Sequence, residues 1–178
     1  MRPLRLHTER LELVAATPES EHAAGKGRDE LAAHLRARAT QAWPPPLAED
    51  VQGVWETLLR EDPQAHGWTA WYWLLREPDA LPLLVGYGGF KGRPAHGECE
   101  VSYSVIETHH RRGFATEGTR ALVDWAFTHD DVQLVSAHTL PDLVPSIGVL
   151  DKLGFSCAGA GEEEGTLRYE LRRPRAVL

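Results

Sequence analysis

From Glu98 to Ile106 the side chains alternate. Cys99, Val101, Tyr103 and Val105 fall between Glu98, Glu100, Ser102 and Ser104, a period of two that predicts a strand over Cys99–Ile106 with one buried face. Beyond it the period changes. Gly118, Ala121, Leu122, Trp125 and Ala126 share one face at helical spacing, predicting a helix that starts near Glu117. The same reading predicts a first strand over Thr8–Val14, strands over Trp68–Leu75, Leu83–Phe90 and Leu134–Thr139, and a closing pair over Phe155–Ala158 and Thr166–Leu171. Thr17-Pro18 has the form of an N-cap followed by proline at the first helical position. Leu31, Leu35 and Arg38 predict a helix over Asp29–Thr40. Val51, Val54, Trp55 and Leu58 predict another over Glu49–Arg60. Pro145 opens a last helix whose apolar face is Ile147, Leu150 and Leu153 and whose stop is Gly154.

Punctuation between these elements narrows the reading. Pro44-Pro45-Pro46 cannot continue a helix and predicts a stiff extended segment that carries Trp43. Trp68, Trp71, Tyr72 and Trp73 lie within six positions without accompanying basic residues, which predicts core packing rather than base stacking. Gly86, Gly88 and Gly89 sit inside a strand with no helix after it, so they predict bulges or a close backbone approach rather than a phosphate loop.

Composition adds bounds. A chain of 178 residues with 42% hydrophobic and 25% charged residues suits one globular domain over residues 1–178. Net charge of −7 speaks against nonspecific nucleic-acid binding and favours cationic partners such as amines or basic peptides. Cys99 and Cys157 stand in no metal-ligand spacing, and no apolar run reaches the length of a membrane span. The expectation is a cytoplasmic protein with two incidental thiols, no metal, no nucleic acid and no membrane partner, monomeric or homodimeric.

The stretch that carries chemistry is His110-Arg111-Arg112-Gly113-Phe114-Ala115-Thr116-Glu117, between the alternating strand and the helix. A strand feeding a basic glycine turn into a helix N-terminus is an anion site. The first backbone N–H groups of a helix lack intrahelical partners, and the helix dipole adds positive potential there. A P-loop requires lysine after its last glycine, and a dinucleotide fingerprint requires three spaced glycines; this turn has neither.

In these residues the chain resembles the GNAT N-acetyltransferases, most closely the branch that acetylates ribosomal-protein N-termini. That family's acetyl-CoA loop reads Gln/Arg-x-x-Gly-x-Gly/Ala, often followed by Thr-Glu. Here Gly113, Ala115, Thr116 and Glu117 match, and His110 replaces the leading residue. The opening Thr8-Glu9-Arg10-Leu11-x-Leu13 is also similar. So is Ser146-x-x-x-Leu150-x-Lys152-Leu153-Gly154-Phe155, with Leu143 where the family has Asn.

The resemblance implies an α/β (α+β) fold: a twisted, mixed, mostly antiparallel sheet of six or seven strands flanked by about four helices. It implies an acetyl-CoA-dependent transferase that moves an acetyl group directly to a primary amine. Coenzyme A would be held by Ser104, Val105 and Ile106 along the strand and by His110, Arg111, Arg112, Gly113, Phe114, Ala115 and Thr116 in the turn. Glu100 stands at the family's glutamate base, or is an ordinary strand carboxylate. Ser146 stands at the serine proposed as proton donor, or caps its helix. Trp43 and Glu98 fall on the acceptor side, with Trp43 alternatively a packed connector. His34, His66 and His138 show no ligand spacing and read as surface or satisfied structural residues. The resemblance to the ribosomal-protein branch implies a protein N-terminal α-amine as the acceptor. Alternatives are a small-molecule amine, a non-catalytic acyl-CoA-binding domain and, from the anion turn alone, a nucleotide-binding protein.

Overall fold

The computed structural model describes residues 3–46, 48 and 53–174. One eight-stranded sheet carries the architecture. Its strands are β1 (Arg5–His7), β2 (Leu11–Ala15), β3 (Ala70–Leu75), β4 (Leu83–Phe90), β5 (Glu98–Val105), β6 (Leu134–Thr139), β7 (Ser156–Ala160) and β8 (Leu167–Arg172). They lie in the order β1-β2-β3-β4-β5-β6-β8-β7, and every pairing is antiparallel except β5 with β6. Five α-helices are described: α1 (Pro18–Lys26), α2 (Arg28–Leu35), α3 (Trp55–Glu61), α4 (Phe114–Ala126) and α5 (Val144–Leu153). Eight strands and five helices replace the expected six or seven and four.

The differences have local causes. The expected Thr8–Val14 strand begins only at Leu11, because Thr8 and Leu11 close a turn (Thr8 N–H to Leu11 O, 3.0 Å) that folds an additional strand, β1, onto β2. Helix α2 stops at Leu35, not Thr40. Arg36 takes a left-handed conformation (φ 53°), and Arg38 then pairs its N–H and C=O with Pro82 and Leu84 at the start of β4. The Glu49–Arg60 helix is seen as α3; Glu49, Asp50, Val51 and Gln52 lie outside the described residues. Helix α4 begins at Phe114, three residues before the expected start, because Gly113 (φ 83°) turns the chain directly into it. Thr17 caps α1 as expected, exchanging bonds with Ser20.

Strand β3 is buried along its whole length, as its aromatic density predicts. Trp73 explains three glycines. A Cβ on Gly86, Gly88 or Gly118 would stand 2.8, 2.7 or 2.5 Å from its ring, so two strand glycines and one helix glycine make the slot that lets α4 close on the sheet. Gly89 (φ 146°) is a different case, since a Cβ there would meet the Thr69 carbonyl at 1.9 Å. Trp68, just before β3, packs on Phe90 and Trp125 (centroids 5.2 and 4.6 Å) at the end of the same core. No described helix is long and apolar enough to cross a membrane.

Candidate active site

The site is built where β5 leaves β6. Their parallel ladder covers only Glu98–Glu100 against Leu134–Ser136, whereas β4 follows β5 to Val105. Backbone bonds fix which edge is free. Lys91 N–H bonds Glu100 O, and Ile106 N–H bonds Val85 O, so Glu100, Ser102, Ser104 and Ile106 point their main-chain groups at β4. Tyr103 and Val105 point theirs into the gap opened by the departing β6. Of the three expected main-chain contacts, Val105 is therefore the one facing the open edge, while Ser104 and the Ile106 N–H are engaged with β4 and Ile106 O accepts from His109 N–H. His110 Nε2 donates to Val105 O at 2.7 Å, which fixes the end of this edge.

A single 3₁₀ turn, Glu107–His109, and the basic turn then lead into α4. Arg111 (φ 58°) and Gly113 (φ 83°) curl the chain so that α4 starts at the mouth of the gap. Gly113 is the N-cap and supplies no side-chain hydrogen bond, leaving the first N–H groups of α4 for an outside acceptor. A Cβ at Gly113 would meet only the Arg10 guanidinium, at 3.3 Å. Arg111, Arg112 and Gly113 are exposed, whereas the Phe114 side chain is buried. The Arg10 and Arg112 guanidiniums lie 4.4 and 5.0 Å from the Phe114 ring centroid, so this residue offers a ligand its backbone only. The arrangement fits an elongated ligand carrying a diphosphate: amides and arginines at one end, an unpaired strand edge along its length.

Beside the gap the sheet presents two carboxylates. Glu98 accepts from Ser136 (2.6 Å) and Arg168 (2.7 Å). Burial works against its charged form, but these two donors outweigh it and hold the carboxyl below its ordinary range. Glu100 is 19% exposed and lies 2.5 Å from Lys91 Nζ and 2.9 Å from His138 Nδ1. His138 is thus neither a surface residue nor a satisfied one, contrary to the sequence reading: its Nε2 is buried without a partner among the described residues.

Across the gap, Ser146 lies in the first turn of α5. The N-cap there is Leu143, which makes no side-chain bond, and Ser146 does not cap the helix. Its Oγ is instead 3.2 Å from the Tyr103 hydroxyl, which also donates to Ser146 O at 3.1 Å. Burial pushes the Tyr103 phenol up to about 12, so it is a proton-bearing group at neutral pH. Sequence reasoning missed Tyr103 and His138. Their signal is strand alternation: Tyr103 falls on the opposite face from Glu100, and His138 is two residues along from Ser136.

Trp43 is buried 6.4 Å from Tyr72, with its indole N–H unpartnered among the described residues. On the same side Tyr72 donates to the buried Glu21 at 2.5 Å. Cys99 is buried, Cys157 is exposed, and no metal-ligating cluster occurs among the described residues.

Comparison with known proteins agrees with this geometry. A family model described as acetyltransferase (GNAT) domain matches residues 10–156. The uncharacterized N-acetyltransferase YjdG of Bacillus subtilis is 26% identical over 153 residues, 85% of each chain. Among solved structures, the ribosomal-protein-S5-alanine acetyltransferase from Vibrio fischeri superposes with a TM-score of 0.63. It is 15% identical and covers 95% of this chain and 96% of its own. The microcin C7 self immunity acetyltransferase MccE, in complex with acetyl-CoA and AMP, gives 0.60 at 11% identity, with 93% of each chain covered. At these identities the structural matches speak for the fold.

Proposed function

The chain belongs to the GNAT acetyltransferases and is an N-acetyltransferase, and from that premise we propose that it transfers the acetyl group of acetyl-CoA directly to the α-amine of a protein or peptide N-terminus, within one domain. The observation that carries this reading is the open edge of β5 running into the uncapped N-terminus of α4. The family uses acetyl-CoA, whose thioester supplies an activated acyl group. The amides from Gly113 to Thr116, with Arg111 and Arg112, suit its diphosphate. His110 serves by holding Val105 O, which keeps the strand end in place. The Val105 N–H then faces the gap as a fixed donor. Donors aimed at a carbonyl that gains negative charge are worth about 3–4 kcal/mol each. Ser146, oriented by Tyr103, is the hydroxyl placed to protonate the departing sulfur.

The choice of amine follows from acid–base chemistry. A lysine side chain has a pKa of about 10.4 and an α-amine about 7.7–8.0. Neutral lysine at pH 7 therefore costs about 4–5 kcal/mol, an N-terminal amine about 1 kcal/mol. A site whose carboxylates already hold cationic partners suits the less demanding acceptor. Glu100 marks the proton-accepting end and Glu98 the ammonium-attracting rim. Trp43 is the inner wall on the acceptor side. The name of one fold neighbour, a ribosomal-protein-S5-alanine acetyltransferase, motivates a protein acceptor. A reaction that consumes acetyl-CoA beside a free buried thiol suits the cytoplasm.

The test is thiol release from acetyl-CoA with a panel of N-terminal peptides, N-blocked lysine peptides and small amines, followed by mass spectrometry of the product. Acetylation of the α-amine is expected. Transfer only to small amines would replace the acceptor assignment, and tight binding of acetyl-CoA with no transfer to any amine would leave a binding domain.

A further inference from the structure

We propose that Arg10, a residue of the β1–β2 turn rather than of the turn that opens α4, sets the affinity of the site for acetyl-CoA. It neutralises the carboxylate that α4 itself brings to the diphosphate position and adds guanidinium donors there. This rests on the placement of the coenzyme diphosphate at the N-terminus of α4 in the acetyl-transfer reading above.

The need for such a residue is electrostatic. Helix α4 carries Glu117 in its first turn. A carboxylate there suits the helix dipole, but it opposes an anionic ligand at the same positive end. The Glu117 side chain is only 15% exposed, so solvent ions screen its charge weakly. A diphosphate on the amides from Gly113 to Thr116 would meet that charge within one helical turn.

Arg10 supplies the opposing charge with defined geometry. Its Nε and Nη2 each lie 2.7 Å from Glu117 Oε2. Its Nη1 donates to Arg112 O at 2.9 Å. A guanidinium has five N–H donors, and these contacts use three, leaving one on each Nη. The side chain is 40% exposed, so a ligand can reach them. Nη2 lies 3.3 Å from where a Cβ on Gly113 would stand, beside the first amides of α4. The Phe114 ring gathers the Arg10 and Arg112 guanidiniums around itself.

The backbone that presents Arg10 is also fixed. Arg76, the residue after β3, donates from Nη2 to Thr8 O at 2.5 Å and to Glu9 O at 2.7 Å. Its N–H bonds Arg10 O at 3.0 Å. The β1–β2 turn is thus tied to the sheet, and the guanidinium is ordered before the ligand arrives.

Charge balance and simple fastening predict different variants. If Arg10 acts through charge, removing it alone uncovers Glu117, and removing both relieves the repulsion. If the pair only fastens the turn, loss of either partner weakens binding alike.

Isothermal titration of the full chain with acetyl-CoA separates the two. Arg10→Met should weaken binding about tenfold or more, and Arg10→Lys, a cation without the fork, about threefold. Glu117→Gln should bind within about twofold of wild type, and the Arg10→Met/Glu117→Gln double variant should recover to about threefold weaker than wild type. Binding by Arg10→Met as tight as wild type's, or a double variant as weak as Arg10→Met, would overturn the proposal. A second measurement needs no variant. In wild type, the side-chain ¹⁵N resonances of Arg10 should shift on saturation with acetyl-CoA, and those of Arg76 should not; an unmoved Arg10 would overturn the proposal. Gly113→Val separates the two levels of the reading. If it binds acetyl-CoA as wild type does, the diphosphate lies elsewhere and the site reading falls together with this one. If it binds weakly while Arg10→Met is unimpaired, the role of Arg10 alone is lost.

Discussion

Arg10 and Glu117, 107 residues apart in sequence, lock the anion turn to the β1–β2 turn. Glu117 Oε1 accepts from the Arg10 backbone N–H at 2.8 Å and from Thr8 Oγ1 at 2.5 Å, and its Oε2 accepts from Arg10 Nε at 2.7 Å. Arg10 Nη1 continues to Arg112 O at 2.9 Å. The two segments that resembled the family separately, Thr8-Glu9-Arg10-Leu11 and Ala115-Thr116-Glu117, are therefore two halves of one clamp under the helix N-terminus. Burial disfavours the charged form of Glu117, yet the donors prevail and hold its carboxyl below the ordinary range. A depressed folded-state value gives stability that is present above the unfolded value, about 4.3, and is lost as pH falls through the folded one. Glu117→Gln should cost roughly 1–3 kcal/mol, toward the lower end because Arg10 is 40% exposed and solvent screens its charge. Its denaturant stability should vary less than wild type's below about pH 4.5; an unchanged pH dependence would remove Glu117 from the linkage.

Gly118→Val tests the slot for Trp73. The added atoms have nowhere to go, with the first of them 2.5 Å from a ring that is itself fully buried. Overpacking of this kind costs roughly 1–3 kcal/mol. Thermal unfolding should shift down, with a change in tryptophan emission; wild-type stability would mean that α4 can ride higher on the sheet than the structure shows.

Gly113→Val tests the turn itself. At φ 83° a β-branched residue is strained, and its side chain would stand beside Arg10 where the anion is expected. The acetyl-CoA KM should rise about tenfold or more while the acceptor KM changes little. An unaltered acetyl-CoA KM would place the diphosphate elsewhere.

Tyr103→Phe removes the hydroxyl that bonds Ser146 and keeps the packing of the ring. If Tyr103 orients Ser146 for proton delivery, Tyr103→Phe and Ser146→Ala should each lower kcat, by roughly tenfold, and together cost little more than either alone. Additive losses would mean that the two hydroxyls act on different steps.

The sequence carried most of the sheet because its strands alternate or are wholly apolar, and both patterns are local. Strand β5 and helix α4 were legible because their periods differ on either side of one glycine. Strand β1 was not, since three residues give no period and its place is set by the turn at Thr8. The end of α2 was hidden because Arg36 has no glycine to announce a left-handed cap. In the site, the anion turn was readable as a contiguous string. The Glu100–His138 and Tyr103–Ser146 contacts were not, because each joins residues from distant elements, and only the register of the sheet with α5 brings them together. Leu143 departs from the family pattern at an exposed N-cap position that makes no side-chain bond, and the helix forms without one.

The most direct measurement is a titration of ¹⁵N-labelled protein with acetyl-CoA, following the backbone amides. The largest shifts are expected at Gly113, Phe114, Ala115 and Thr116, with a second group at Tyr103 and Val105 along the free edge of β5. Shifts confined to other parts of the sheet, with these amides unmoved at saturation, would contradict the account.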